Sequence, residues 1–323
     1  MITGTYVVKS GDEIIAESKN VITASGFVAI NSFLAGNLRS WAGTLAVGSI
    51  TNTVAASTDA SLNYEITRYP VAFRSYYTNS GSNQVVLKAT LSPFDQFQCY
   101  EMGVFAPKVN LNTFTDHKKI SDFSEGTWVY PNGNTASVSM VPGTARSNSK
   151  ILGITTASLS TYPTASAIIL NNMAFDTYSY NSNDYVNLLF STDGNAITSS
   201  SAKITVYFAD SSSTLYGNPT QYWSASTFLP NTASNSFNTA SMVLNTSGAS
   251  GWTSPISSMS VVLTTGTGST TIGLDHIKFQ HNLYPTLNNV IISRTSASSS
   301  GTSAIFTKYY GQPMDIEYYI DVT

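Results

Sequence analysis

The sequence predicts a mainly β fold: a small β-rich domain carrying one helix, with a larger β-sandwich inserted into it. Three observations lead there. Charged residues make up only 10% of the 323-residue chain, with Ser, Thr, Asn and Gly abundant and aromatics at 12%, whereas an average soluble domain is about a quarter charged. Short apolar or alternating runs recur along the chain, separated by polar turn signals at the intervals of a sandwich. The texture also changes twice. Residues 112–283 hold 6 basic and 8 acidic residues, 14 charges in 172 positions against 19 in the other 151, and the last forty residues resume the texture of the beginning.

The chain opens as a hairpin, "TGTYVVKS" and "EIIAESKNV" around the turn "SGDE", with Gly11 supplying the turn geometry. In "TASGFVAINSFLAG", Phe27, Ile30 and Leu34 recur at helical spacing; Thr23 or Ser25 can cap the start and Gly36 can end it. Strand-like runs follow at "TLAVGSI", "ITRYPVAFRSYYT", "NQVVLKATLS" and "QCYEMGVFAP". The middle region carries "TWVYP", "ASVSMV", "KILGITT", "SAIILNNMAF", "YVNLLFST", "KITVYFAD", "NTASMVLN", "SMSVVLTT" and "TIGLDHIKF". At the end, "MDIEYYIDV" alternates Ile316, Tyr318 and Ile320 against Asp315, Glu317, Tyr319 and Asp321, a half-buried strand with an acidic outer face. A lone strand cannot bury such a face, so it must pair with elements already built. The expected organisation is therefore residues 1–111 plus 284–323 as one discontinuous domain and residues 112–283 as the inserted sandwich.

One strand breaks its own alternation. In "TIGLDHIKF", Ile272 and Leu274 share one face of an extended chain and Ile277 and Phe279 the other, so the inward face switches at Asp275-His276. A β-bulge or kink would supply the extra residue. Such a step is expected to take the Asp275 carboxylate off the core, toward an ion, a backbone amide or a neighbouring cation.

Composition excludes several function classes. A net charge of −3 without clustered basic residues leaves no electrostatic footprint for nucleic acid. No segment approaches 18 uninterrupted apolar residues, and the N-terminus lacks a basic-then-apolar leader, so neither a membrane span nor a secretory signal is expected. Cys99, the single cysteine, reads as a small buried hydrophobe. Catalysis is not expected. Asp176, Asp184, Asp193 and Asp210 sit at strand ends or turns, where Asp is favoured for local hydrogen bonding, and no nucleophile-elbow sequence accompanies His117, His276 or His281. Flat aromatic faces beside amides, Tyr178, Tyr180 and Tyr185 in "YSYNSNDY" and Tyr222 and Trp223 in "GNPTQYW", are the chemistry that stacks on sugar rings. The competing use of these rings is core or subunit packing.

Two resemblances add to this reading. "ITASGFVAINSFLAG", "GTLAVGSI", "LNYEITRYPV", "NQVVLKATLS" and "YEMGVFAP" resemble the small domain of tailed-phage collar, baseplate and tail-fibre proteins, with "MDIEYYIDV" in the place of that family's closing strand. This resemblance implies a virion structural protein of the tail, partnered by other virion proteins and by copies of itself. "DFSEGTWVY" and "GWTSPISSMSVVLTTGTGSTTIGLDHIKF" resemble the opening strand and closing pair of jelly-roll carbohydrate-binding modules. That resemblance implies contact with a host surface polysaccharide and a structural calcium held by Asp275 with Glu125 or Asp122; where that family places an acid directly after the first Phe, this chain has Ser124.

Overall fold

A computed structural model describes residues 2–37, 40–50, 54–79, 82–107, 117–123, 128–129, 138–139, 151–155, 157–158, 167–170, 180–182, 184–192, 197, 202–209, 222–233, 236–249, 256–265, 271–280, 290–297 and 303–322. The chain is mainly β and divides into two compact units, Met1–Thr113 with Leu283–Thr323, and Phe114–Asn282. The first unit begins with β1 (Ile2–Ser10), β2 (Glu13–Lys19), β3 (Val21–Ile22), α1 (Ala24–Leu34), β4 (Thr44–Gly48), β5 (Glu65–Pro70), β6 (Phe73–Asn79), β7 (Ser82–Leu91), β8 (Phe97–Cys99) and β9 (Glu101–Phe105). The second holds β10 (His117–Ser121), β11 (Trp128–Val129), β12 (Val138–Ser139), β13 (Ile151–Thr155), β14 (Ala157–Ser158), β15 (Ala167–Leu170), β16 (Tyr185–Ser191), β17 (Lys203–Ala209), β18 (Trp223–Phe228), β19 (Phe237–Asn245), β20 (Ser258–Thr265) and β21 (Thr271–Gln280). The chain then returns to the first unit with β22 (Ile291–Ser296), β23 (Phe306–Lys308) and β24 (Met314–Val322).

The first unit is two antiparallel sheets, ordered β2-β1-β24-β7-β6 and β3-β22-β9-β4-β5, with β8 and β23 as a separate pair. The alternation of β24 settles its place: Ile316, Tyr318 and Ile320 are buried, and the strand pairs with β1 on one side and β7 on the other. The Tyr318 ring packs 4.7 Å from that of Tyr6. The polar ends of the two rings are satisfied as buried hydroxyls require: Asn20 Nδ2 donates to the Tyr318 hydroxyl at 2.6 Å, and the Tyr6 hydroxyl lies 2.7 Å from Ser293 Oγ. Cys99 is a free, buried thiol, and burial pushes its pKa up.

Helix α1 starts where its capping chemistry starts it. The Thr23 hydroxyl accepts from the Gly26 amide at 2.9 Å, and Gly36 follows the helix in the left-handed region, φ 77°. What the helix buries is Gly26 and Ala29 rather than its large apolar residues. Phe27 and Leu34 stay 42% and 74% exposed, because the helix lies so close to β22 that a Cβ on Gly26 would fall 2.1 Å from the Ile292 carbonyl oxygen.

A second pin crosses the unit. Glu101 is fully buried in β9 and accepts four hydrogen bonds: from the amides of Asn63 and Tyr64 at 3.0 and 2.8 Å, and from Arg294 Nε and an Nη at 3.1 and 2.9 Å. The other Arg294 Nη donates to Asp59 at 2.8 Å. Burial pushes the Glu101 carboxyl up to about 7 against the pull of Arg294 and the two amides. This network ties the β4–β5 connection to a strand from the far end of the sequence.

The second unit is a jelly-roll-like sandwich. One layer runs β12-β13-β21-β16-β19 with β10 also on β21, the other β11-β15-β20-β17-β18 with β14 on β20, and β19 turns the corner by pairing with β16 and, at Leu244 and Asn245, with β18. Inward residues of β16 (Val186, Leu188, Phe190), β17 (Ile204, Val206, Phe208) and β21 (Ile272, Leu274, Ile277, Phe279) form the core. Among the described residues no helix is long and apolar enough to cross a membrane.

Candidate functional site

The sandwich presents aromatics on the outward side of its β17–β18 layer, and strand parity chooses which. In β17, Ile204, Val206 and Phe208 are fully buried, which turns Lys203, Thr205 and Tyr207 to the opposite face. The ladder sets Ser224 against Tyr207, Ser226 against Thr205 and Phe228 against Lys203. Tyr222, just before β18, meets Tyr207 edge-on at 5.4 Å, and the Lys203 ammonium lies over the Phe228 ring at 6.0 Å. Burial, with Tyr222 beside it, raises the Tyr207 hydroxyl pKa. The result is a row: two tyrosines at one end, a 60%-exposed phenylalanine backed by a cation at the other, and the hydroxyls of Thr205 and Ser226 between. Its length, from residue 203 to 207 along a strand, is about 13 Å.

The five aromatics expected from the sequence do not gather there. Tyr222 belongs to the row. Trp223, the next residue, points inward as β18 begins and is 6% exposed, with its ring 6.4 Å from Phe279. Tyr180 is also core, 7% exposed and 4.8 Å from the same ring. Phe279 is the reason for both: a large ring at the centre of the core draws flat partners, and burying each of them is worth about 2–3 kcal/mol. Tyr180 and Trp223 therefore do not offer faces to a glycan. Tyr185 is half-buried on the other layer, paired with Val243 and Gln280, where Asn187 Nδ2 donates to Gln280 Oε1 at 2.6 Å. Tyr178 lies outside the described residues. Sequence reasoning missed Tyr207, Lys203 and Phe228, although the alternation of "KITVYFAD" contained the signal for the first two.

The switch in β21 is a bulge. Leu189 of β16 pairs with His276 and Phe190 with Leu274, so Asp275 is the extra residue. On the opposite edge of β21, β13 covers residues 271–274 and β10 covers 277–280, and the step falls at the seam between them. The step does not bring the acid to solvent: Asp275 is 0% exposed. A bulge changes which neighbours a side chain meets, but a strand with partners on both edges and a layer packed on it keeps that side chain inside the protein.

The antiparallel register sets Ser121 opposite Ile277, which brings Asp122 and Phe123 toward the same step. Phe123 is strained: it is fully buried with φ 58°, in the left-handed region that bulky residues avoid, and its amide donates to Ser121 Oγ at 2.8 Å. Asp122 lies 2.7 Å from the Lys119 ammonium. A divalent cation at this corner would have to displace that ammonium from Asp122, and among the described residues no three of His, Cys, Asp and Glu gather in one place. Glu125 lies outside the described residues, as do Asp176, Asp193, Asp210 and His281. The described residues thus do not by themselves fit a calcium cage. Asp184 is a turn residue, accepting from the Asn181 amide at 2.9 Å.

No protein-family model matches the chain, and no curated protein sequence does. Solved structures similar to it include the family 11 carbohydrate-binding module of a cellulosomal cellulase of Clostridium thermocellum, at 15% identity over 53% of this chain and 98% of that one, TM-score 0.32. Another is a carbohydrate-binding module specific for non-crystalline cellulose, at 14% identity over 54% of this chain and 97% of that one, TM-score 0.31. An agarase is similar at 13% identity over 52% of this chain and 25% of that one, TM-score 0.31. None of these likenesses assigns the chain to a family, and the functional reading is built on the geometry above.

Proposed function

We propose that the chain is a non-catalytic attachment and display protein, in which the first unit is the mount and the sandwich contacts a surface polysaccharide through the row from Tyr222 and Tyr207 to Phe228 and Lys203. The row is the observation that carries this reading. Rings at both ends with hydroxyls between them suit a polymer of apolar ring faces and hydroxyl rims, and Lys203 is the one charged side chain that the row's described residues contribute. The setting in a phage tail, among other virion proteins and further copies of the chain, is supported by the collar-like sequence pattern of the first unit.

A second reading, subunit packing, is favoured by α1, whose Phe27, Val28 and Leu34 stay exposed on a helix that contains no charged residue.

The test is binding of the full chain to an array of bacterial surface polysaccharides. Tyr222→Ala with Phe228→Ala is expected to weaken any hit by about tenfold or more, equivalent to ~1.4 kcal/mol, with the melting curve unchanged. Binding untouched by that pair of substitutions overturns the reading. Shortening of the polysaccharide on incubation would make the chain an enzyme instead.

A further inference from the structure

The β2-β1-β24-β7-β6 sheet of the first unit has a shaped outer face that the proposed function does not use. On its edge strand β6 the positions facing that way are Phe73, Ser75 and Tyr77: large, small, large. The two rings are 50% and 52% exposed, and they stand about 13 Å apart along the strand. Register explains the hollow between them. Ser75 is paired with Val86 of β7, and Val86 with Tyr319 of β24, so no large ring stands between Phe73 and Tyr77 on β6 and Val86 lines the notch between them. The hollow measures about 490 Å³, within the range of small-ligand sites.

The polar groups around it are already oriented. Glu317 is 2.7 Å from the Lys9 ammonium and also accepts from the Tyr319 hydroxyl, which together with Lys88 holds its carboxyl below the ordinary carboxylate range despite partial burial. Lys88 is 2.7 Å from Asp315, and Gln84 Nε2 donates to Asp321 at 2.9 Å. Each cation therefore has a carboxylate beside it on the same face. A strongly anionic or cationic ligand would gain little here and would have to break these pairs, whereas a neutral one meets fixed donors and acceptors at no such cost. Two aromatic walls next to an amide, a carboxylate and an ammonium match a molecule with apolar ring faces and a rim of hydroxyls.

We propose that this notch is a binding site for a neutral oligosaccharide, separate from the aromatic row of the sandwich and independent of it.

The experiment is calorimetric titration of the full chain with maltohexaose, cellohexaose, laminarihexaose, xylohexaose and mannohexaose. At least one should bind with a dissociation constant of about 1 mM or tighter. Phe73→Ala with Tyr77→Ala should weaken that sugar by about tenfold or more; both rings are half-exposed, so the melting curve should stay in place. Lys9→Met, which frees Glu317 from its partner, should weaken it too. Tyr222→Ala with Phe228→Ala should leave it unchanged, which separates this site from the row. The proposal is overturned if none of the five sugars binds, if the Phe73 and Tyr77 substitutions leave binding intact, or if oligogalacturonate binds in preference to the neutral sugars. It is likewise overturned if sedimentation shows that those two substitutions only convert an oligomer to monomer, which would make the notch a contact between copies.

Discussion

Replacing Arg294 by Met should cost the first unit about 3–5 kcal/mol at pH 8, the usual penalty for removing one partner of a buried pair. Glu101 is 0% exposed, and the Arg294 side chain is 1% exposed. The substitution deletes two of the four hydrogen bonds on Glu101 and strands its charge. The third lost bond, to Asp59, counts for less because that carboxylate is 17% exposed and water can replace the guanidinium. The sign of the pH dependence follows from the carboxyl. Its value rises from 4.5 to about 7 on folding, so between those values the folded state holds more protons than the unfolded state, and stability from this group falls as pH rises through that window. Without Arg294, whose attraction lowers the value, the window extends further upward. The deficit of Arg294→Met should therefore be larger at pH 8 than at pH 5, where protonated Glu101 no longer needs a counter-ion. Adding Glu101→Gln should recover part of the loss. Hydrogen exchange of the first-unit strands across a urea series measures all three. A loss below about 1 kcal/mol at pH 8, or one that is the same at both pH values, would refute the reasoning, since either means that water already reaches the pair.

Gly26→Ala should destabilise the first unit by about 1–3 kcal/mol in denaturant titration, because the new Cβ meets the Ile292 carbonyl oxygen at 2.1 Å, a backbone atom already held by the Thr23 amide at 3.0 Å. Gly153→Ala, with nothing within 4 Å of its Cβ, should change stability by less than about 0.5 kcal/mol. A chain ending at residue 283 lacks β22 and β24; since β24 is the middle strand of its sheet, hydrogen exchange should show the remaining first-unit strands unprotected. Chelation by EDTA should leave the sandwich's melting temperature in place, because the Lys119 ammonium already lies 2.7 Å from Asp122; a fall of more than about 3 °C, on the order of 1 kcal/mol, would show that a bound divalent cation stabilises the sandwich.

What the sequence determined by itself was local. Alternation marks β24 and β17 as half-buried strands, since a pleated chain sends successive side chains to opposite faces. Thr23 and Gly36 bound the helix because capping and left-handed geometry involve only neighbouring residues. The parity break in "TIGLDHIKF" placed the change of face at Asp275-His276 for the same reason, and the pairing with β16 made it a bulge at Asp275. Tertiary structure decided what each face meets, and no local rule contains that. Tyr222 and Trp223 are adjacent and chemically alike, yet the pairing of β18 with β17 sends one to the outer row and the other into the core beside Phe279. The apolar stripe of α1 looks inward-facing in sequence, but the closest approach to β22 is reserved for Gly26, so Phe27 and Leu34 are left outside. Asp275 is turned by its bulge and remains buried, because the strands on either side of β21 and the layer packed on it come from segments distant in the chain. The hollow between Phe73 and Tyr77 exists only once Val86 and Tyr319, from two other strands, have been set beside Ser75. Periodicity acts between neighbours along one strand, whereas exposure is set by the strands that register brings to either side.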